Sequence, residues 1–139
     1  MNTFDIQDAL FTAFASDEEL CTLLQINVED MDEDSKYSVL NTKLRREDFA
    51  PEQFSDGTLD FIAFYFADAD TTGNYLVNAG LLRLDIYVQY RYNAGLIRKR
   101  VLQLIRNIFD IRLVAEGQKQ SDITNVYKYR LEFLPLVSS

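Results

Sequence analysis

Over the first 25 residues apolar side chains return at helical spacing. Ile6, Leu10, Ala13 and Phe14 share one face, which predicts a short amphipathic helix over 4–15. Ser16 stands three residues before Glu19 in the capping-box arrangement, with Asp17 and Glu18 between them in the first turn. A second helix is therefore expected over 17–25, burying Leu20, Leu23 and Leu24. The periodicity then stops. Residues 27–36, NVEDMDEDSK, hold too few apolar side chains to build a core, and a mobile loop is expected there. Residues 37–44 fit a short edge strand, and 45–53 is polar, with Pro51 breaking regular structure.

From residue 58 the pattern changes to strands. TLDFIAFYFA, over 58–67, is almost wholly apolar and aromatic, as in a central strand covered on both faces or one buried in a subunit contact. LLRLDIYVQY, over 81–90, alternates. Leu82, Leu84, Ile86, Val88 and Tyr90 point one way; Arg83, Asp85, Tyr87 and Gln89 point the other. The connection between them suits a hairpin and is too short for a helical crossover. Asn93 is placed to cap a helix over 94–109, whose apolar stripe is Ile97, Val101, Leu104, Ile105 and Ile108. Two more strands are expected over 111–116 and 123–134, joined through Gly117. The pattern predicts an α+β fold: one domain over 1–139, a mostly antiparallel sheet of four to five strands, N-terminal helices and one long helix packed on it.

Charge sharpens this picture. Residues 1–70 hold 17 of the 22 acidic and 4 of the 14 basic residues, a net of −13. Residues 71–139 hold 5 and 10, a net of +5. A chain with an acidic end and a basic region is suited to meeting charged surfaces, including copies of itself. The overall charge of −8 disfavours general nucleic-acid affinity. Cys21 is the lone cysteine, so a disulfide scaffold is excluded and a reducing cytoplasm is expected. The opening MNTFDIQDAL has neither the basic nor the apolar region of a signal peptide, and no apolar run has membrane-spanning length.

Candidate chemistry is sparse. With no histidine, the commonest general base and metal ligand is missing. Asp30, Asp32 and Asp34 have the spacing that starts a calcium loop, but Ser35 and Asn41 occupy the places of its glycine and its final glutamate. The same spacing begins again at Asp68, and there Ala79 occupies the place of the final glutamate. Asp60 and Asp85 lie on strands without the E-x-K or D-x-K element of a nuclease, and Asp85 reads as a solvent-facing or interface residue. Cys21 reads as a small core residue. No metal, cofactor or catalytic residue is assigned. What remains is the basic face of the long helix, Arg98, Lys99, Arg100 and Arg106, read either as a solvated surface or as a contact for an acidic partner. All four are expected to be exposed. Phosphate binding is the weakest reading of that face.

The order of helix, polar loop, two strands, long helix and two strands resembles the tail-terminator proteins of long-tailed bacteriophages. The resemblance is carried by DALFTAFASDEELCTLL, LDFIAFYF, NAGLLRLDIYVQYRYNAGLIRKRVLQLIRNIF and VYKYRLEFLPL, which together span most of the chain. It implies a virion structural protein and no enzyme. Such subunits form a ring, usually of six, that caps the head-proximal end of the tail tube, stops its growth and docks on the filled head. The implied partners are further copies, the tail-tube protein and a head connector or neck protein, with DNA passing through unbound and no membrane. The implied location is the host cytoplasm during assembly and then the neck of the virion. In such a ring the acidic residues Glu29, Asp30, Asp32, Glu33 and Asp34 are expected to face either the channel or the basic helix of the next subunit. Head-completion and head–tail joining proteins share this size and style. An enzyme would show converging carboxylates, and an adaptor would show salt-sensitive binding to another chain.

Overall fold

The computed structural model describes residues 3–47, 60–67, 81–109, 111–121, 123 and 125–135. The elements are α1 (Thr3–Ser16), α2 (Glu18–Leu23), α3 (Glu33–Lys43), β1 (Leu44–Arg45), β2 (Phe61–Ala67), β3 (Leu81–Val88), α4 (Arg91–Ile108), β4 (Ile111–Lys119) and β5 (Tyr127–Pro135). The strands form one sheet in the order β1-β2-β3-β5-β4. β1 runs parallel to β2, and every other neighbouring pair is antiparallel. The fold is α+β, with helices at the N-terminus and the long helix α4.

Alternation on the strands divides the sheet into two faces. Ile62 and Phe64 of β2, Leu82, Leu84, Ile86 and Val88 of β3, and Leu131 and Phe133 of β5 are buried on the helix side. There they meet Ile6, Leu10 and Phe14 of α1, Leu20 and Leu24 at α2, and Ala94, Ile97, Val101, Leu102 and Ile105 of α4. Each large apolar side chain among them contributes about 1.5–3 kcal/mol by leaving water. A one-residue slip of β3 would bring Asp85 into this core, so the register is well determined. The other face has its own smaller apolar cluster of Phe61, Ala63, Tyr65 and Tyr87. Phe61 and Tyr87 are directly paired across β2 and β3 and stack at 4.7 Å. Both faces of β2 are therefore buried.

Several expectations need correction. The acidic run is not wholly a loop, and 37–44 is not a strand: α3 starts at Glu33 and runs to Lys43, leaving only Leu44–Arg45 as the edge strand. Asp32 caps α3, its carboxylate accepting from Ser35 N at 2.7 Å. The cap of α2 is Asp17, not Ser16; Asp17 accepts from Leu20 N at 2.9 Å. β3 ends at Val88, so Tyr90 leaves the inward row and becomes the N-cap residue of α4, 63% exposed. Asn93 lies inside α4 and does not cap it. The buried stripe of α4 takes in Ala94 and Leu102, while Ile108 is exposed and Leu104 only half-buried. β4 extends to Lys119, and β5 begins at Tyr127. Pro51, the 58–59 start of the second predicted strand, the polar connection and the calcium-like spacing from Asp68 to Ala79 lie outside the described residues.

Two left-handed residues tie helix to sheet. Gln25, at φ 59°, ends α2: its own N–H returns to Thr22 O and that of Ile26 to Cys21 O. Asp60, at φ 63°, sits just before β2, accepts from Gln89 N at 3.0 Å and lies 3.5 Å from Gln25 Nε2. Among the described residues no helix is long and apolar enough to cross a membrane.

Candidate functional site

At 100° per residue, Arg98 and Arg100 fall on opposite flanks of the buried stripe of α4. The structure uses each on its own side. Arg98 donates from Nε and Nη2 to the two carboxylate oxygens of Glu116 on β4, at 2.6 and 2.8 Å. Tyr129 of β5 donates its hydroxyl to the same carboxylate. These bonds hold the Glu116 carboxyl down at about 2, Arg98 first and Tyr129 second. A bulge makes the contact possible. The register with β5 jumps between Leu113 and Ala115, so Glu116 pairs with Leu131 and turns toward α4.

Arg100 reaches the other way. Its guanidinium donates to both oxygens of Asp17 and lies 3.2 Å from Glu19, tying α4 to the start of α2. The Arg100 bond lowers the Asp17 carboxyl below its ordinary range. A broad polar hollow of 630 Å³ surrounds this pair, and its arginine is already held by Asp17 and Glu19. Of the four basic residues expected to be exposed, Lys99 and Arg106 are so; Arg98 and Arg100 are half-buried and committed to ion pairs.

A different surface forms along the first turns of α4. Tyr127 and Tyr129 alternate on β5, share its helix side and stack with ring centres 6.5 Å apart. With Arg91, Tyr92, Leu96 and Arg98 they line a groove of 520 Å³. Tyr92 is 77% exposed at its rim. Gly95 belongs to the same lining, and a Cβ built there would meet nothing within 4 Å. Glycine inside a helix costs about 1 kcal/mol against alanine. No packing demand accounts for it here. Tyrosine and arginine are the residue types that anchor protein–protein contacts. Sequence reasoning missed this site. Its signal was the pair of Y-x-Y runs, YRY at the start of the long helix and YKY in the last strand, which only the fold brings together.

The acidic residues lie elsewhere. Residues 29–38 are exposed throughout. Glu29 and Asp30 lie in the turn before α3, Asp32 caps the helix, and Glu33 and Asp34 occupy its first turn, where the positive end of the helix dipole favours them. Met31, 43% exposed, stands among them. The hydrogen bonds from Ser35 hold the Asp32 carboxyl below its ordinary value. The calcium-like spacing does not gather these carboxylates, and no group of three or more possible ligands among the described residues could hold a metal ion. α3 packs on β1 and β2, whereas the groove rests on α4 and β5. Acidic segment and groove therefore stand toward opposite ends of the strand order.

On the far face, Asp85 is fully buried and does not face solvent as expected. Arg130 donates to it at 2.7 Å and Tyr65 OH at 2.8 Å, and Lys128 Nζ lies at 3.9 Å. Asp85 and Arg130 are direct cross-strand partners. The bond to Asp85 raises the Arg130 pKa further. Its partners make Asp85 a structural charge. Cys21 is half-buried, its thiol near the carbonyls of Phe14 and Ala15, and burial pushes its pKa up.

Compared with known proteins, the chain matches no family model and no curated protein.

Proposed function

We propose that this chain is a phage virion structural protein, a tail terminator that forms a ring on the head-proximal end of the tail tube, stops tube growth and provides the surface on which the filled head docks. The observation that carries the reading is the separation of two complementary surfaces on one sheet. The exposed acidic start of α3 lies at the β1–β2 side, and the Tyr/Arg groove lies at the β5 side. Complementary patches on different sides of one subunit make head-to-tail contacts, which generate a ring when the rotation closes. A ring has two unlike faces. If one matches the tube and the other does not, polymerisation ends there.

In this reading the partners are further copies, the tube protein and a head connector. DNA passes through without specific binding, in keeping with the chain's net charge of −8. No reaction and no cofactor are involved. The protein acts in the host cytoplasm during assembly and remains in the neck of the virion. The order of elements supports the terminator resemblance, and the ion-paired state of Asp85 supports a structural role for the most buried carboxylate.

The test is to add the purified chain to growing tubes of the cognate tail-tube protein. A terminator binds one end of each tube and halts its elongation. A head-completion or joining protein leaves elongation unchanged, and that result would reject this reading.

A further inference from the structure

We infer that the groove between α4 and β5 is the receptor for a second copy of this chain, and that its occupant is the acidic segment 29–34 of that copy. The inference rests on the ring reading above and names the contact that would build it.

Three observations carry it. The groove combines stacked aromatic walls, Tyr127 and Tyr129, with the guanidinium of Arg91 and the exposed ring of Tyr92, while Arg98 in its lining is held by Glu116. The segment offers the matching chemistry: Glu29, Asp30, Glu33 and Asp34 are exposed carboxylates, with the exposed thioether of Met31 among them. Carboxylates suit guanidinium forks, and a methionine sulfur suits the edge of an aromatic ring. Finally, α3 and the groove lie toward opposite ends of the strand order, so the match is made between copies.

Gly95 lies in the groove wall. It leaves open space in the groove wall, and any side chain at that position projects into the space the segment would fill. A nucleic-acid backbone is the competing occupant. It is disfavoured because a phosphate backbone is tracked by several cations, and with Arg98 held by Glu116 the groove offers it the guanidinium of Arg91.

Two full-length variants test the contact. Gly95→Glu fills the groove with a negative group and replaces a helix-interior glycine, so the fold is retained. Glu29→Gln/Asp30→Asn/Glu33→Gln/Asp34→Asn neutralises the segment and spares the capping Asp32. Melting curves verify that both fold, and analytical ultracentrifugation reads assembly.

The wild-type chain should self-associate at high concentration, with affinity falling about tenfold or more between ~0.05 M and ~0.5 M NaCl as screening sets in. Each variant alone should stay monomeric. Their mixture should give a 1:1 dimer and nothing larger, because the surviving groove meets the surviving segment and only disabled surfaces remain outward. A wild-type monomer under all conditions would overturn the inference, as would a mixture that fails to pair or either variant assembling like wild type. Binding of a duplex oligonucleotide that Gly95→Glu abolishes would assign the groove to nucleic acid and overturn it too. Failure here with tube capping intact removes this contact alone. Pairing as described with no tube capping removes the terminator reading instead.

Discussion

Replacing Asp85 by Asn keeps its shape and removes its charge, leaving Arg130 and Lys128 crowded on the far face without that counter-ion. Breaking a buried pair from one side costs about 3–5 kcal/mol, so Asp85→Asn should lower unfolding free energy by roughly that amount in a denaturant titration. A change within experimental error would mean that the network contributes nothing. Alternation placed Asp85 on the right face of β3 but could not assign its partner, because Arg130 lies 45 residues away and only the β3–β5 register joins them. Glu116 gives the pH-dependent counterpart. Its folded pKa of about 2 lies below the ordinary 4.5, so its contribution is fully present above 4.5 and is lost as pH falls through about 2. Because the residue is exposed, that contribution is discounted for screening to about 1 kcal/mol. Glu116→Gln should therefore destabilise the chain near neutral pH and flatten the stability–pH curve between about 4.5 and 2. A curve parallel to wild type would show the Arg98 pair to be without effect.

At the scale of elements, what was legible was whatever burial wrote into the pattern. The β3 alternation and Ile97, Val101 and Ile105 of α4 lie in the core by period 2 and 3.6, and the continuous apolar run of β2 is buried on both faces. α3 was not legible. Of its residues only Leu40 and Lys43 are buried, so no apolar stripe marks it. It rests instead on the Asp32 cap and an acidic first turn. The bulge in β4 was equally invisible, yet it decides that Glu116 and not Ala115 turns toward Arg98. At α2 the cap was read one residue early. Ser16 is exposed, while the Asp17 carboxylate both accepts from Leu20 N and receives Arg100. Asp17→Ala should cost about 1–2 kcal/mol, against a few tenths for Ser16→Ala. Equal effects from the two substitutions would contradict this assignment.

For the whole molecule, the sequence shows charge segregated along the chain but not where that charge lies in space. The split between an acidic first half and a basic second half survives as two separated surfaces. The basic surface, however, is not the row Arg98, Lys99, Arg100 and Arg106, since two of these are spent inside the fold. The groove takes its tyrosines from β5 and its rim, with Arg91, from the start of α4. In the proposed ring, only one face would continue the tube lattice, and the tube would end there. That claim is tested most directly by electron microscopy of particles assembled without this protein. Such particles should be filled heads without tails, beside unattached tails of uncontrolled length. Tails of normal length joined to heads would contradict it.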